Sequence, residues 1–159
     1  MNDINEIMHD LEHSPKILEN LIHSIPTELL KRKRIPGKWS IHEHACHIVA
    51  AQPMLIDRFR LFLDEEEPVI EPYIPGKTFP DDNLMNLDLI SELNRFSTLR
   101  AELLDVIHTF EKEQWTRKAK HIEYIEYTPY IMLRHILMHD HFHMYRIEEL
   151  WLTRNEFMP

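Results

Sequence analysis

Apolar residues recur at three- and four-residue intervals along four stretches of this 159-residue chain, and that period constrains its fold more than any other feature. Glycine occurs only at Gly37 and Gly76. The ten prolines fall mostly between the periodic stretches, so the breakers mark loops joining helices and leave little room for strands. The first stretch holds Ile4, Ile7, Met8 and Leu11, then Ser14 and Pro15 as a cap and first helical position, then Ile17, Leu18, Leu21, Ile22 and Ile25. It predicts one helix bent near Pro15. Segment 26–39, with Pro26, the run Lys31 to Arg34, and Pro36-Gly37, reads as a connection with about one turn of helix, delivering the chain to Trp39.

Ser40 and Glu43 have the spacing of a capping box, in which serine and glutamate satisfy each other's free backbone donors, so a second helix begins there. Its stripe runs through Ile41, Ala45, Ile48, Leu55, Ile56, Phe59, Phe62 and Leu63 to the acidic run Asp64 to Glu67, with a kink expected at Pro53. Residues 67–82 carry Pro68, Pro72, Pro75, Gly76 and Pro80 and predict a long loop crossing over the fold. A third helix is expected over Leu84 to Phe110. An irregular or partly extended segment follows from Lys112 to Tyr127, and Thr128 and Pro129 then cap and open a last helix reaching about Leu152. The expected architecture is an all-α four-helix bundle, up and down, with a long crossover loop between the second and third helices, in one domain over residues 1–159.

Composition narrows the function. A net charge of −9 repels a phosphate backbone, and the single basic cluster, Lys31 to Arg34, reads as a solvated loop, so no nucleic-acid partner is expected. No run approaches the roughly 18 apolar residues of a spanning helix, so no membrane insertion is expected. One cysteine, Cys46, and the broken acidic opening segment suit a reducing, cytoplasmic location. Cys46 reads as structural, Trp115 and Trp151 as packing anchors, and there is no Ser-His-Asp order, P-loop or dinucleotide fingerprint.

Twelve histidines are the compositional oddity, because imidazole is the commonest metal ligand. On the last helix, placing residues at 100° intervals sets His139 and His143 on the apolar side with Met132, Ile136, Ile147 and Leu150, while Arg134, His141 and Tyr145 fall opposite. At i and i+4 the two imidazoles can grip one ion. A third ligand could come from His42, His44 or His47 on the second helix, and periodicity alone favours His44 and leaves His47 at the edge of the stripe.

The local motifs add a preference. Trp39, Ser40, Glu43 and His47 form W-S-x-x-E-x-x-x-H, and His139, Asp140 and His143 form H-D-x-x-H. Together with the helix order, these resemble the DinB-like family of four-helix metalloproteins, also called YfiT-like, over essentially the whole chain. The resemblance implies a divalent ion, zinc or nickel, held by His47, His139 and His143 at one end of the bundle, with His44 and His135 as extra histidines within a turn of them. Three imidazoles leave coordination positions open for water or thiol. The resemblance further implies a homodimer and a metal-dependent enzyme, a hydrolase or thiol-dependent transferase, acting on a small molecule or a low-molecular-weight thiol. The competing expectation is a non-enzymatic, stress-related metal-binding or interaction module. His121 and Arg146 are candidates to approach the open face, and Asp140 and Glu43 candidates to orient imidazoles from outside.

Overall fold

A computed structural model describes residues 3–73 and 83–158. Its main helices are α1 (Ile4–His23), the single turn α2 (Thr27–Leu30), α3 (Ile41–Ala50), α4 (Gln52–Asp64), α5 (Leu89–His108) and α6 (Pro129–Leu152). With α3 and α4 as two parts of one arm, these form a four-helix bundle in which α1 and α3 each pack against both α5 and α6. Asp3, just before α1, accepts a hydrogen bond from Tyr130 in the first turn of α6 (3.0 Å), so these two helices run parallel. His42 meets Leu84 and Gln52 meets Arg100, so the α3–α4 arm runs in the same direction as α5. The order is therefore up, down, down, up, and the long connection after α4 is what carries the chain back to start α5. Part of that connection, residues 74–82, lies outside the described residues. Its first part pairs with the segment before α6, through a bridge between Val69 and Lys120 and a hydrogen bond from Ile70 N to Lys120 O (2.9 Å).

Side-chain caps set the starts of α3, α5 and α6. Ser40 and Glu43 form the expected capping box at α3, with Ser40 N donating to Glu43 Oε2 (2.8 Å). Thr128 Oγ1 accepts from Ile131 N (3.2 Å) ahead of Pro129 at α6. The second arm divides at Ala51, two residues before Pro53, where the missing proline N–H and its ring disfavour continuous helix. Gly37 alone among the described residues has a positive φ (+73°), and it turns the chain towards Trp39. Two boundaries differ from expectation. The third helix starts at Leu89, because Asp88 accepts from Ser91 N (2.8 Å) and the preceding Leu84–Asn86 is a 3-10 turn. Ser14 and Pro15 do not start a helix: α1 runs through them, and Ser14 Oγ bonds back to Asp10 O.

What lets α1 continue is a buried arginine. Proline at position 15 leaves the carbonyl of Leu11 without its usual N–H partner. Arg100 Nη1, from α5, donates to that carbonyl at 3.2 Å. The same guanidinium donates through Nε to Gln52 Oε1 (3.3 Å) and through Nη2 to Asp140 Oδ2 (2.7 Å). The Arg100 and Asp140 side chains are 1% and 0% exposed. This polar layer splits the apolar interior into two halves, one around Phe59, Phe62, Leu103 and Met132, the other around Ile48, Phe96 and Ile147, with Leu99 packed against both. No helix among the described residues is long and apolar enough to cross a membrane.

Removing one member of a buried ion pair strands the other charge, whereas replacing both with apolar groups does not. Arg100→Met is therefore expected to cost about 3–5 kcal/mol in urea unfolding, and the double variant Arg100→Met/Asp140→Leu substantially less. Equal losses in the single and double variants would contradict this role for the layer.

Candidate metal centre

The packing of α3 against α6 brings the histidines together. His47 lies in the last turn of α3, while His139 and His143 lie one turn apart on α6, and one ring nitrogen from each falls within 4.8 Å of the others. His47 Nε2 stands 3.1 Å from His139 Nε2. Two nitrogens bound to one ion at about 2.0–2.1 Å with tetrahedral angles stand roughly 3.3 Å apart, so this spacing fits a shared cation. The His139 and His143 ring centroids are 4.5 Å apart, and those of His47 and His143 are 4.8 Å apart. Trp39 packs over the group, 4.6 Å from the His47 ring and stacked at 5.8 Å on His143.

The groups around the trio hold the rings in useful orientations. His44 Nδ1 meets His143 Nδ1 at 2.8 Å, which leaves His143 Nε2 free for another partner. The nitrogen of His139 that faces away from His47, Nδ1, is buried without a hydrogen bond, and so is Asp140 Oδ1, 3.8 Å from it. An imidazole that gives one nitrogen to a metal carries its proton on the other and commonly turns it to a carboxylate. That orphaned pair, with three imidazole donors at metal-compatible spacing, fits a bound divalent ion.

The remaining candidates take other positions. His44 touches His143 rather than joining the trio. His121 and His135 line the same cavity but pack against Tyr124 and Tyr127. His42 contacts Leu84 O, and Arg146 is paired with Glu149. Glu43 caps α3 and pairs with Lys33. Burial raises the Cys46 thiol to about 12, in keeping with a structural role. A second trio that sequence reading missed, His9, Glu12 and His13 on α1, also comes within 4.8 Å, but all three side chains are exposed to solvent. Its signal is the i, i+4 pair His9 and His13 with Glu12 between them.

Beside the trio opens a cavity of about 430 Å³, walled by Trp39, Leu55, Tyr127, Ile136 and Phe142 among others. Neither Arg58 nor the tyrosines that line it carry a sequence signal, because they come from α4, the connection after it and the segment before α6, which only the fold brings together.

Burial, then the charge that neighbouring histidines would carry, lowers the imidazole pKa of His47 to about 3 and of His143 to about 2, and burial lowers His44 to about 4. These groups bind fewer protons folded than unfolded. Their contribution to stability is therefore complete above the unfolded value near 6.5 and is lost as pH falls towards 4 and below. For the metal-free protein, each such histidine steepens the stability curve by up to about 1.4 kcal/mol per pH unit in that window. His143→Leu is expected to flatten the curve between pH 6 and 4 relative to wild type, measured by urea titration at each pH; an unchanged slope would contradict the burial account.

Comparison with known proteins places these features in a family. A curated protein of Oceanobacillus iheyensis, whose name assigns it provisionally to the metal-dependent hydrolases, is 25% identical over 120 residues, covering 76% of this chain and 69% of that protein. The solved structure of YfiT from Bacillus subtilis, described as a probable metal-dependent hydrolase with an unusual four-helix bundle topology, superimposes with a TM-score of 0.83 at 22% identity, covering 94% of this chain and 86% of that one. The DinB superfamily matches residues 10–147, a span that takes in the second arm, the crossover and all three histidines of the trio, and the chain belongs to that superfamily.

Proposed function

We propose that this protein is a metal-dependent enzyme of the hydrolase class in which His47, His139 and His143 hold a divalent ion, zinc or nickel. The observation that carries the reading is the convergence of three imidazole nitrogens within 4.8 Å on the wall of a cavity large enough for a small molecule. The name of the Oceanobacillus relative supports the same class. A closed structural site would surround its ion with protein ligands; three imidazoles beside a cavity leave room for water and substrate, which favours catalysis over a purely structural role. An ion there supplies the charge that brings a bound water or thiol towards ionisation at neutral pH and polarises a substrate carbonyl.

The chain's own residues do the rest. His44 keeps the His143 ring turned with Nε2 towards the trio. Asp140, itself anchored by Arg100, sets the charge of Oδ1 3.8 Å from His139 Nδ1, which favours the proton on that nitrogen and leaves Nε2 unprotonated. Trp39 covers one side and limits solvent on the imidazoles. A thiol-dependent transferase would use the same open positions, with a low-molecular-weight thiol in place of water.

Elemental analysis of tag-free protein is expected to give about one zinc or nickel per chain. The ion is lost in His47→Ala and His143→Ala and kept in His135→Ala, while His44→Ala keeps the stoichiometry with affinity reduced about 10–100-fold. Because neutral imidazole is the ligand form, dialysis near pH 5 lowers occupancy. No bound ion after reconstitution with either metal, or full retention in His143→Ala, would overturn the assignment.

A further inference from the structure

The cavity beside the histidine trio has two chemically different ends. His47, His139 and His143 occupy one. At the other, Tyr127 immediately precedes the Thr128 cap of α6 and lies near the guanidinium of Arg58 on α4, each close enough to influence the other's ionisation. From Pro129, the first residue of α6, to His139 is about 15 Å of helix at roughly 1.5 Å per residue, which sets the separation of the two ends. The walls between them are mainly apolar, from Met54, Leu55, Met132 and Ile136.

Arg58 is the single lysine or arginine among the described lining residues. It is half-buried, donates to the backbone carbonyl of Glu71, and has no carboxylate within ion-pair distance among the described residues. Glu123, which also lines the cavity, is exposed to solvent and forms no ion pair with it. A partly desolvated guanidinium with one neutral acceptor retains donors suited to a carboxylate, and such charge-assisted pairs are strong where water is limited. The Tyr127 phenol, kept protonated by burial, offers a further O–H donor beside it.

We propose that this cavity takes a small molecule with a largely apolar body and a terminal carboxylate, the carboxylate resting on Arg58 and Tyr127 and the opposite end reaching the histidine trio. The substrate class rests on the reading of the trio as the reactive end, but the anion subsite does not require an ion to be bound there. Arg58 is a binding residue, and it selects among substrates by charge.

A matched pair of probes tests this: 10-hydroxydecanoate, which carries the carboxylate, and decane-1,10-diol, which does not. Calorimetric titration is done on both metal-free and zinc-treated protein. Wild type is expected to bind the acid about tenfold or more tightly than the diol in both forms. Arg58→Met abolishes the difference and leaves diol binding unchanged. Arg58→Lys, which keeps the charge, retains part of the preference, and Glu123→Gln increases it. Equal affinities in wild type, a preference that survives in Arg58→Met, or no binding of either probe at millimolar concentration overturns the proposal. Failure of the metal assignment shows instead as absence of bound ion, with the acid preference intact.

Discussion

The buried contact between Arg100 and Asp140 is the constraint on which the rest of the structure depends. Two charges taken out of water are tolerable only with partners for their polar atoms, and here one guanidinium serves α1, α4 and α6 from α5, leaving Asp140 Oδ1 alone to face His139. It completes the carbonyl that Pro15 orphans, so the first helix can pass a proline without breaking. It also fixes the relative height of α5 and α6, because the two apolar halves of the core lie on either side of it. Asp140 is the residue after His139, so the height at which the pair forms is also the height at which the first histidine of the HDxxH motif meets His47.

That coupling explains how two helices far apart in sequence can set one site. His47 is carried by a helix whose start is fixed by the box that Ser40 forms with Glu43. His139 and His143 are carried by a helix whose start is fixed by Thr128 and whose middle is fixed by Asp140. The cap sets rotation and register locally, and the buried pair sets them globally. The apolar groove running away from the trio along α6 is a consequence of the same geometry, since the division of the second arm at Ala51 sends α4 along the groove with Arg58 towards its far end.

Much of this is legible in the sequence wherever the signal is local. The capping box, the Thr128-Pro129 start, the division near Pro53 and the inward face of His139 and His143 all arise from chemistry within a few residues. Tertiary effects are not legible in the same way. Pro15 has the sequence signature of a helix start, and only the donor from Arg100, 85 positions later, overrides it. Asp88 is hidden as a cap because Leu84 and Leu87 continue the apolar stretch ahead of it with no glycine or proline to break it. Periodicity alone favours His44 and sets His47 at the edge of the stripe, yet both are buried where α3 packs on α6. The W-S-x-x-E-x-x-x-H motif points to His47, and the fold groups His47 with His139 and His143 while His44 contacts His143. Arg58 and Tyr127 carry no motif at all, and their meeting depends on how α4 and the segment before α6 pack.

The central claim is that three imidazoles, and no thiolate, hold an ion that keeps positions open to solvent. X-ray absorption at the zinc edge of the reconstituted protein tests it most directly. The account predicts a low-coordinate spectrum with three imidazole nitrogens at about 2.0–2.1 Å and one or two additional oxygen scatterers, altered when azide or a small thiol is added. A six-coordinate oxygen shell like that of the aqueous ion, a sulfur scatterer from Cys46, or a closed shell indifferent to added ligand would contradict it.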